Sequence, residues 1–565
     1  MSDLKSLNSE CNNADDELRD IEIRLMQLEE EKLQLLHRQR TLKELKTQSK
    51  PSGNLFSTDQ KVRLFQSLFK GRTDIFANRW QNTQGRSGYS VACHSEWLPG
   101  KCNKPKVKCS ECTYRQYKAL DQQVIYDHLS GKQVVGLYPL LEDNTCYLLA
   151  ADFDKTDWQA AVQAMAQVCH EYHVPYALEI SRSGNGAHLW IFFSEAVPAK
   201  DARALGFGLL DKAMEIYPGI SFESYDRLFP NQDLMPEGGF GNLIALPLQY
   251  QARKTGNSLF VDEQLTPYAD QWAFLSQLER ISGAQLLKSL ESIRPNEMDS
   301  MSEVKPWEQG AAIIPTSIEN CPTSVTITLA NHLYIKLGTL PSKLIARLKR
   351  LASFANPVFF KTQALRFSTH GIPRYISCAR IEQDYLSLPR GCLDEVIIVL
   401  EQQAIKIAFD DKRQKGNALK ALKFIGTLRK EQTKAVSVIT QHDTGVLHAP
   451  TAFGKTVTAI GVIAKRKVST LILTHSRQLL DQWQERLAVF LEGIDIGIIG
   501  GGKNKPTGQI DVATYQSFIN KKDNSVNPLI QNYGQVIIDE CHHISAPRFE
   551  MVLNEVRAKY VLGLT

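Results

Sequence analysis

The chain has no long hydrophobic run, since none of its apolar segments approaches the roughly 20 residues that span a bilayer. Its first residues, Met1–Ser6, contain no apolar signal-peptide core. Cysteine is scarce, and its count of 11 is odd, which argues against a disulfide framework. Internal repeats and low-complexity tracts are absent as well. These absences exclude membrane-spanning, disulfide-rich secreted and fibrous proteins, and they predict a reducing, cytoplasmic setting with no membrane partner.

The composition that remains is that of an ordinary globular protein, 43% hydrophobic and 22% charged. The net charge of +5 is only a weak indication of a polyanionic partner. A length of 565 residues is enough for about three or four domains. The patterns predict an α/β multidomain protein, divided into a coiled-coil helix (1–50), an α/β domain with an inserted loop (55–286), a linker (287–325), a middle domain (326–420) and a parallel α/β lobe (421–565).

The N-terminal segment has a heptad pattern. Between residues 15 and 45, apolar side chains recur at a and d positions over about four heptads. This pattern fits self-association through a coiled coil and fits equally well one amphipathic helix packed on its own protein. Further along the chain, residues 340–352 predict a basic amphipathic helix.

The octapeptide Ala449–Thr456 has the form A-x-x-x-x-G-K-T, which is the phosphate-loop pattern with Ala at the first Gly. A short apolar strand precedes it and an apolar helix follows, so that the helix N-terminus adds its dipole to the anion site. Lys455 would reach the β- and γ-phosphates of ATP, and Thr456 would hold Mg²⁺. Thr451 and Gly454 complete the predicted loop around the nucleotide.

Downstream, residues 535–543 predict a buried strand that delivers Asp539 and Glu540 at its carboxyl end. Asp539 would belong to the Mg²⁺ shell, and Glu540 would orient and deprotonate a water for attack on the γ-phosphate. The tetrapeptide Asp539–His542 resembles the D-E-x-H box of superfamily 2 helicases.

Other segments resemble the motifs of the same helicase family in the same order. They are an adenine-side motif with Arg429 and Gln432, and two segments, 471–483 and 511–517, that touch the nucleic-acid backbone. The resemblance implies a RecA-like lobe that binds ATP and DNA. In that family a second lobe follows and supplies an arginine finger, whereas this chain ends at Thr565. We therefore expect weak ATP binding and slow hydrolysis from the chain as given.

Four cysteines lie close together in a loop rich in Lys, Pro and Gly: Cys93, Cys102, Cys109 and Cys112. Four thiolates on a short polar segment suit tetrahedral Zn²⁺, which would stabilise a loop too small to bury a core. His94 is a competing ligand, but the softer donor Cys93 is preferred.

A second acidic motif, Asp152-Phe-Asp154, ends an apolar strand. Period-2 geometry places both carboxylates on one face, where they can bind divalent metal for nucleotidyl transfer. The next strands flank a Gly-rich turn that carries Ser183 and is followed by His188, and such a turn lets phosphates approach the backbone. A third carboxylate is expected nearby, with Glu223, Asp226 and Asp233 as candidates and Asp226 preferred.

Together these residues resemble the archaeo-eukaryotic primase superfamily, and the whole arrangement resembles the primase–helicases of TOTE conflict systems over roughly residues 60–565. The resemblance implies an RRM-like primase–polymerase domain in which Asp152, Asp154 and Asp226 hold Mg²⁺ or Mn²⁺. His188 and Ser183 would bind the incoming nucleoside triphosphate, with single-stranded or primer–template DNA as partner.

Three alternatives remain open at this point. The N-terminal domain would be a non-catalytic nucleic-acid-binding module beside the helicase, or the same carboxylates would form a metal-dependent nuclease. A third alternative is a scaffold in which the ATP site acts as a binding switch. DNA or RNA preference, unwinding polarity and oligomeric state do not follow from the sequence.

Overall fold

The computed structural model describes Arg24 and residues 56–104, 106–107, 109–154, 157–293, 317–369, 371–450, 452–520, 522–543 and 547–565. The chain falls into two compact units, Met1–Arg63 and Leu64–Thr565. The predicted coiled coil lies outside the described residues except for Arg24. No helix in the described ranges is both long and apolar enough to cross a membrane.

The first region spans residues 58–293 and contains two antiparallel sheets, with strands between residues 77 and 261. Their strands are β1 (Ala77–Gln81), β2 (Ser87–Val91), β3 (Val135–Leu137), β4 (Thr145–Phe153), β5 (Ala177–Ile180), β6 (Ala187–Pro198), β7 (Leu228–Phe229), β8 (Ile244–Ala245) and β9 (Phe260–Val261). The sheet orders are β2-β1-β3-β8 and β7-β4-β6-β5-β9. The helices of this region are α1 (Thr58–Leu68), α2 (Gln122–Leu129), α3 (Trp158–Glu171), α4 (Ala199–Ile216), α5 (Tyr250–Arg253), α6 (Gln271–Ser276) and α7 (Gly283–Ile293).

The central strand β6 is apolar on both faces because both faces are covered. Leu189 and Ile191 belong to the core cluster that contains the apolar side chains of α3 and α4. The alternate residues Trp190 and Phe192 turn to the other face, where the Phe69 ring meets them edge-on at centroid distances of 5.1 and 5.3 Å. This alternation is the period of 2 expected of a strand.

A second, smaller region contains a five-stranded sheet of order β14-β15-β11-β10-β16 and the pair β12-β13. Its strands are β10 (Ser324–Leu329), β11 (Leu333–Lys336), β12 (Ser353–Ala355), β13 (Tyr375–Ser377), β14 (Arg380–Glu382), β15 (Tyr385–Leu388) and β16 (Lys406–Asp411), and its helices are α8 (Ser342–Leu351), α9 (Pro357–Ala364) and α10 (Leu393–Gln402). The predicted basic amphipathic helix is confirmed as α8, which buries Leu344 and Leu348 against the sheet core.

The last region is a seven-stranded sheet of order β18-β25-β24-β19-β23-β21-β22, parallel except for β22. Its strands, with the separate pair β17 and β20, are β17 (Lys423–Phe424), β18 (Thr444–Leu447), β19 (Thr470–Thr474), β20 (Leu491–Glu492), β21 (Ile496–Gly500), β22 (Lys503–Lys505), β23 (Ile510–Thr514), β24 (Gln535–Ile538) and β25 (Tyr560–Leu564). The helices are α11 (Lys430–Ile439), α12 (Lys455–Arg466), α13 (Arg477–Phe490) and α14 (Pro547–Leu553). The predicted parallel α/β lobe is confirmed.

One predicted boundary differs from the structure. Helix α7 continues to Ile293, so it covers the start of the segment predicted as a linker from residue 287. The helix extends this far because Leu286 and Ile293 are both buried in the core of the first region. Residues 294–316 of the predicted linker lie outside the described residues.

Candidate catalytic and nucleotide-binding sites

The two aspartates of the D-x-D motif lie together at the end of β4. The Nη1 atom of Arg227 donates to both, at 2.7 Å from Asp154 Oδ2 and 3.3 Å from Asp152 Oδ2. Burial raises the pKa of Asp152, and the charge of Asp154 acts in the same direction, whereas His188 and Arg227 oppose the shift. A guanidinium between two carboxylates shows that this position attracts a cation.

His188 lies directly across from Asp152, because β4 and β6 pair in that register. Its Nε2 atom is 3.6 Å from Asp152 Oδ1, and its Nδ1 atom is 2.8 Å from Glu179 Oε2. Burial alone lowers the pKa of His188, but Glu179 and Asp152 outweigh it and the pKa is raised overall. An acid, an imidazole and a second acid thus form a row across three adjacent strands.

The Gly-rich turn between β5 and β6 packs against the end of β4. A Cβ atom on Gly186 would lie 2.5 Å from the carbonyl oxygen of Phe153, so only glycine permits this approach. Gly184 has a φ of +78°, in the left-handed region. The Ser183 hydroxyl lies 3.0 Å from Ser181 Oγ and accepts from the backbone N–H of Asn185 at 3.3 Å. The turn therefore sits beside the D-x-D motif, as the sequence predicts.

The predicted third carboxylate, Asp226, is not brought to this pair. Leu228 pairs with Ala151, so Arg227 comes next to Asp152, and Asp226 is directed elsewhere. Asp226 accepts the backbone N–H of Arg374 at 2.8 Å.

Another of the sequence candidates, Glu223, does line the cavity beside the D-x-D motif, which has a volume of about 310 Å³. Asp233, by contrast, pairs with Arg203 and accepts from Gln363. The geometry therefore favours Glu223 over Asp226 and Asp233. Within the described residues, no three His, Cys, Asp or Glu side chains are grouped closely enough to hold a metal ion.

The four loop cysteines share one small pocket, which they line together with Lys104 and Tyr117: Cys93, Cys102, Cys109 and Cys112. The backbone N–H of Gln116 donates to Cys93 Sγ at 3.3 Å. Backbone N–H groups of Lys104 and Trp97 lower the pKa of Cys102. N–H donors aimed at sulfur stabilise thiolates, the form that binds zinc. Four cysteines are a donor set that suits Zn²⁺ in chemistry, and they line one pocket, but within the described residues they are not grouped closely enough to hold the ion.

The phosphate loop connects β18 to α12. Gly454 has a φ of +85° and caps α12, which begins at Lys455. Gln432 is 4% exposed, and its Nε2 atom donates to Phe453 O at 2.9 Å, while its Oε1 atom accepts the backbone N–H of Arg429 at 3.0 Å. The predicted adenine-side motif thus contacts the loop directly. Thr451 lies outside the described residues.

Asp539 and Glu540 follow β24 at the same edge of the sheet. Burial raises the pKa of Asp539, against the N–H of Trp483, which donates to Asp539 Oδ2 at 2.8 Å, and against the nearby charge of Lys455. Glu540 adopts a φ of +50°, and its backbone N–H donates to Asp539 Oδ1 at 3.1 Å. The charge of Lys455, the first residue of α12, thus acts on the Asp539 carboxylate.

The two segments predicted to contact the DNA backbone, 471–483 and 511–517, include the carboxyl ends of the neighbouring strands β19 and β23 at this edge of the sheet. Thr474 and Thr514 are register partners of β19 and β23. Thr514 Oγ1 lies 2.7 Å from Ser517 Oγ, and the Arg477 side chain is 64% exposed at the start of α13. Hydroxyls and a solvent-facing guanidinium at one edge suit phosphate contacts.

Comparison with known families matches two parts of the chain. Residues 60–289 match the model of the archaeo-eukaryotic primase domain of the TOTE conflict system. Residues 425–565 match the res subunit of type III restriction enzymes. The chain joins a primase domain to a superfamily 2 helicase domain. The expected resemblance to TOTE primase–helicases is thereby confirmed.

Curated relatives of the chain include a putative helicase and a DNA translocase. The putative helicase 109L of Invertebrate iridescent virus 3 is 33% identical over 151 residues, which are 25% of this chain and 46% of the relative. The DNA 3'-5' translocase XPB2 of Sulfurisphaera tokodaii is 34% identical over 138 residues, 24% of this chain and 30% of the relative. The chain thus spans less than half the length of these relatives. The UvsW helicase of bacteriophage T4 overlaps at a TM-score of 0.32 and 16% identity, covering 43% of this chain and 91% of that one.

Several residues of these sites were missed by sequence reasoning. Arg227 and Trp483 each contact a predicted metal-binding aspartate, and Glu179 contacts His188. A signal existed for Glu179, because pairing the strands around the turn at 181–186 sets it opposite His188. Neither Arg227 nor Trp483 follows from local pattern, since each depends on how distant elements pack.

Proposed function

We propose that this chain is a DNA primase–polymerase coupled to an ATP-dependent superfamily 2 DNA translocase, and that it acts in a conflict system against invading DNA. The observation that carries the proposal is the row of Asp152, His188 and Glu179 across one sheet, with Asp154 and a Gly-rich turn beside it. A strand-end acid pair next to a phosphate-sized turn serves nucleotidyl transfer better than nucleic-acid binding alone.

In the primase site, Asp152 and Asp154 would hold Mg²⁺ or Mn²⁺, with Glu223 as the third carboxylate in place of Asp226. The fit rests on the donor set and on Arg227, a cation that already bridges the pair. Bound metal would activate the primer 3′-hydroxyl and stabilise the leaving pyrophosphate. His188 and Ser183 would bind the triphosphate of the incoming nucleotide, and Arg227 would move from the carboxylates toward its phosphates.

In the helicase site, Lys455 and Thr456 would bind the phosphates of ATP, and Asp539 would complete the Mg²⁺ shell. Glu540 would orient the attacking water. Gln432, which already donates to the carbonyl oxygen of Phe453 in the loop, would contact the adenine. The residues that follow β19 and β23, among them the exposed Arg477, would contact the DNA backbone.

Two further parts of the proposal concern zinc binding and self-association. The four loop cysteines would bind Zn²⁺, and the lysines around them would contact template phosphates. The N-terminal heptads would mediate self-association. The division into coiled coil, primase, middle and helicase domains belongs to the same proposal.

Primer synthesis by the full chain tests this function. The chain is incubated with single-stranded DNA, labelled nucleoside triphosphates and Mg²⁺ or Mn²⁺, and compared with the double variant Asp152→Asn, Asp154→Asn. We expect synthesis from the wild type, loss of it in the double variant, and retention in Lys455→Ala, which alters only the ATP site. The Asn replacements keep side-chain volume and remove charge.

Two outcomes would replace the proposal. Absence of synthesis by the wild type, with DNA binding intact, would make the N-terminal region a non-catalytic binding module. Degradation of DNA with Mg²⁺ in the absence of nucleotides, abolished by the same double variant, would make the site a nuclease.

A further inference from the structure

Glu179 is a buried carboxylate of the primase region that contacts His188. Glu179 lies on β5 and is 1% exposed. It receives three side-chain donors: His188 Nδ1 at 2.8 Å and Trp190 Nε1 at 3.0 Å on Oε2, and Ser258 Oγ at 3.2 Å on Oε1. Burying a carboxylate costs free energy unless hydrogen-bond donors surround it, and these three donors offset that cost at Glu179.

The contact with His188 determines which ring nitrogen faces the cleft. A carboxylate only accepts hydrogen bonds, so His188 must donate from Nδ1. The other nitrogen, Nε2, then points toward Asp152, at 3.6 Å from Oδ1. Register fixes both relations, since His188 pairs with Glu179 on one side and Asp152 on the other.

We propose that Glu179 is a positioning residue that locks the His188 ring with Nδ1–H bound to its carboxylate and Nε2 aimed at the triphosphate of the incoming nucleotide. The inference rests on the proposed primase function, in which His188 contacts that triphosphate. Its chemistry is that of an imidazole oriented by a buried acid, which fixes the tautomer and the ring plane before substrate binds. Glu179 itself does not contact the nucleotide, because it is buried behind His188.

A double-mutant cycle tests the proposal through nucleotide binding rather than turnover. Equilibrium dialysis measures the affinity for dTTP with Mg²⁺ in the full chain carrying Lys455→Ala, so that the helicase site does not contribute. We expect His188→Ala to weaken binding about tenfold and Glu179→Gln to weaken it about fivefold or more. In the His188→Ala background, Glu179→Gln should cost less than about twofold, because its effect acts through the absent ring.

The matched control is Ser258→Ala, which removes the donor on the other oxygen of Glu179 and leaves the histidine contact. It should change dTTP affinity by less than about twofold. Equal losses from Glu179→Gln with and without His188 would overturn the inference and assign Glu179 a general packing role. If His188→Ala itself leaves dTTP affinity unchanged, the primase function proposed above fails instead.

A measurement on the unsubstituted chain covers the case in which Glu179→Gln does not fold. Spectra of protein labelled with ¹⁵N-histidine, with His188→Gln used to assign the resonances, report which ring nitrogen carries the proton. A His188 ring with a protonated Nδ1 in the absence of nucleotide supports the proposal. A ring protonated only on Nε2 would overturn it.

Discussion

Replacing Gly186 by alanine is expected to separate the two halves of the primase site. The new Cβ atom would lie 2.5 Å from the carbonyl oxygen of Phe153 and 3.2 Å from Asp154 Cα. Ordinary contact begins near 3.4 Å, so the turn and the end of β4 must move apart by about 1 Å. Both neighbours are backbone atoms, which cannot rotate away as a side chain can. The φ of Gly186 is not in the left-handed region, so the contact alone causes the effect.

Predicted catalytic residues lie on both sides of this contact. Gly186 precedes β6, which carries His188, and Phe153 lies between Asp152 and Asp154. A displacement of about 1 Å between catalytic groups typically costs about 10²-fold in rate. We therefore expect kcat/KM for primer extension to fall about 10²-fold in Gly186→Ala, with melting temperature changed little.

Steady-state primer extension with labelled nucleotides provides the assay. Gly338→Ala is the matched control, because a Cβ there meets no atom within 4 Å. The control should retain wild-type activity. Wild-type kcat/KM in Gly186→Ala would refute the reasoning, since it would mean that the close approach of turn and strand does not set the geometry of the carboxylates and His188.

Three more predictions concern other parts of the chain. Trp483→Phe removes the N–H that donates to Asp539 and keeps an aromatic ring. The affinity for ATP with Mg²⁺, measured by calorimetry, should fall about threefold to tenfold. An unchanged affinity would contradict a role for this contact in the ATP site. Burial lowers the pKa of Lys349 from 10.5 to about 8, so between these pH values the unfolded chain binds a proton that the folded chain does not. The free energy of unfolding of the wild type, measured in urea titrations relative to Lys349→Met, should therefore rise by at most ~3 kcal/mol from about pH 8 to pH 10.5. A difference that does not change with pH would contradict the burial. Cys109→Ser should lower the zinc content measured by mass spectrometry while the exposed Cys378→Ser leaves it unchanged, and equal zinc content in both would argue against the site.

The sequence was sufficient where chemistry is carried by contiguous residues. The phosphate loop, the D-E-x-H box and the D-x-D strand each combine an apolar strand with polar residues at its end, and the structure has β18, β24 and β4 at those positions. The Gly-rich turn that the sequence indicates is also present, between β5 and β6, and it packs against the end of β4.

The third carboxylate could not be selected in this way. The candidates Glu223, Asp226 and Asp233 fall within one irregular segment that includes the short helix Phe222–Arg227, where no strand period fixes which side chain turns inward. The choice is made by the pairing of β7 with β4 and by contacts from the second region. The backbone of Arg374 binds Asp226, and Lys349 Nζ donates to the carbonyl oxygens of Pro218 and Ile220 at 2.6 and 2.8 Å.

The central claim is that the chain holds two independent sites for a metal-bound triphosphate, one in each domain. The most direct test is the stoichiometry of Mn²⁺–nucleotide binding, measured by paramagnetic resonance with saturating dTTP and ATP. The account predicts two sites in the wild type and one in each of two variants, Asp152→Asn with Asp154→Asn, and Lys455→Ala. A stoichiometry that the aspartate variant leaves unchanged would contradict it.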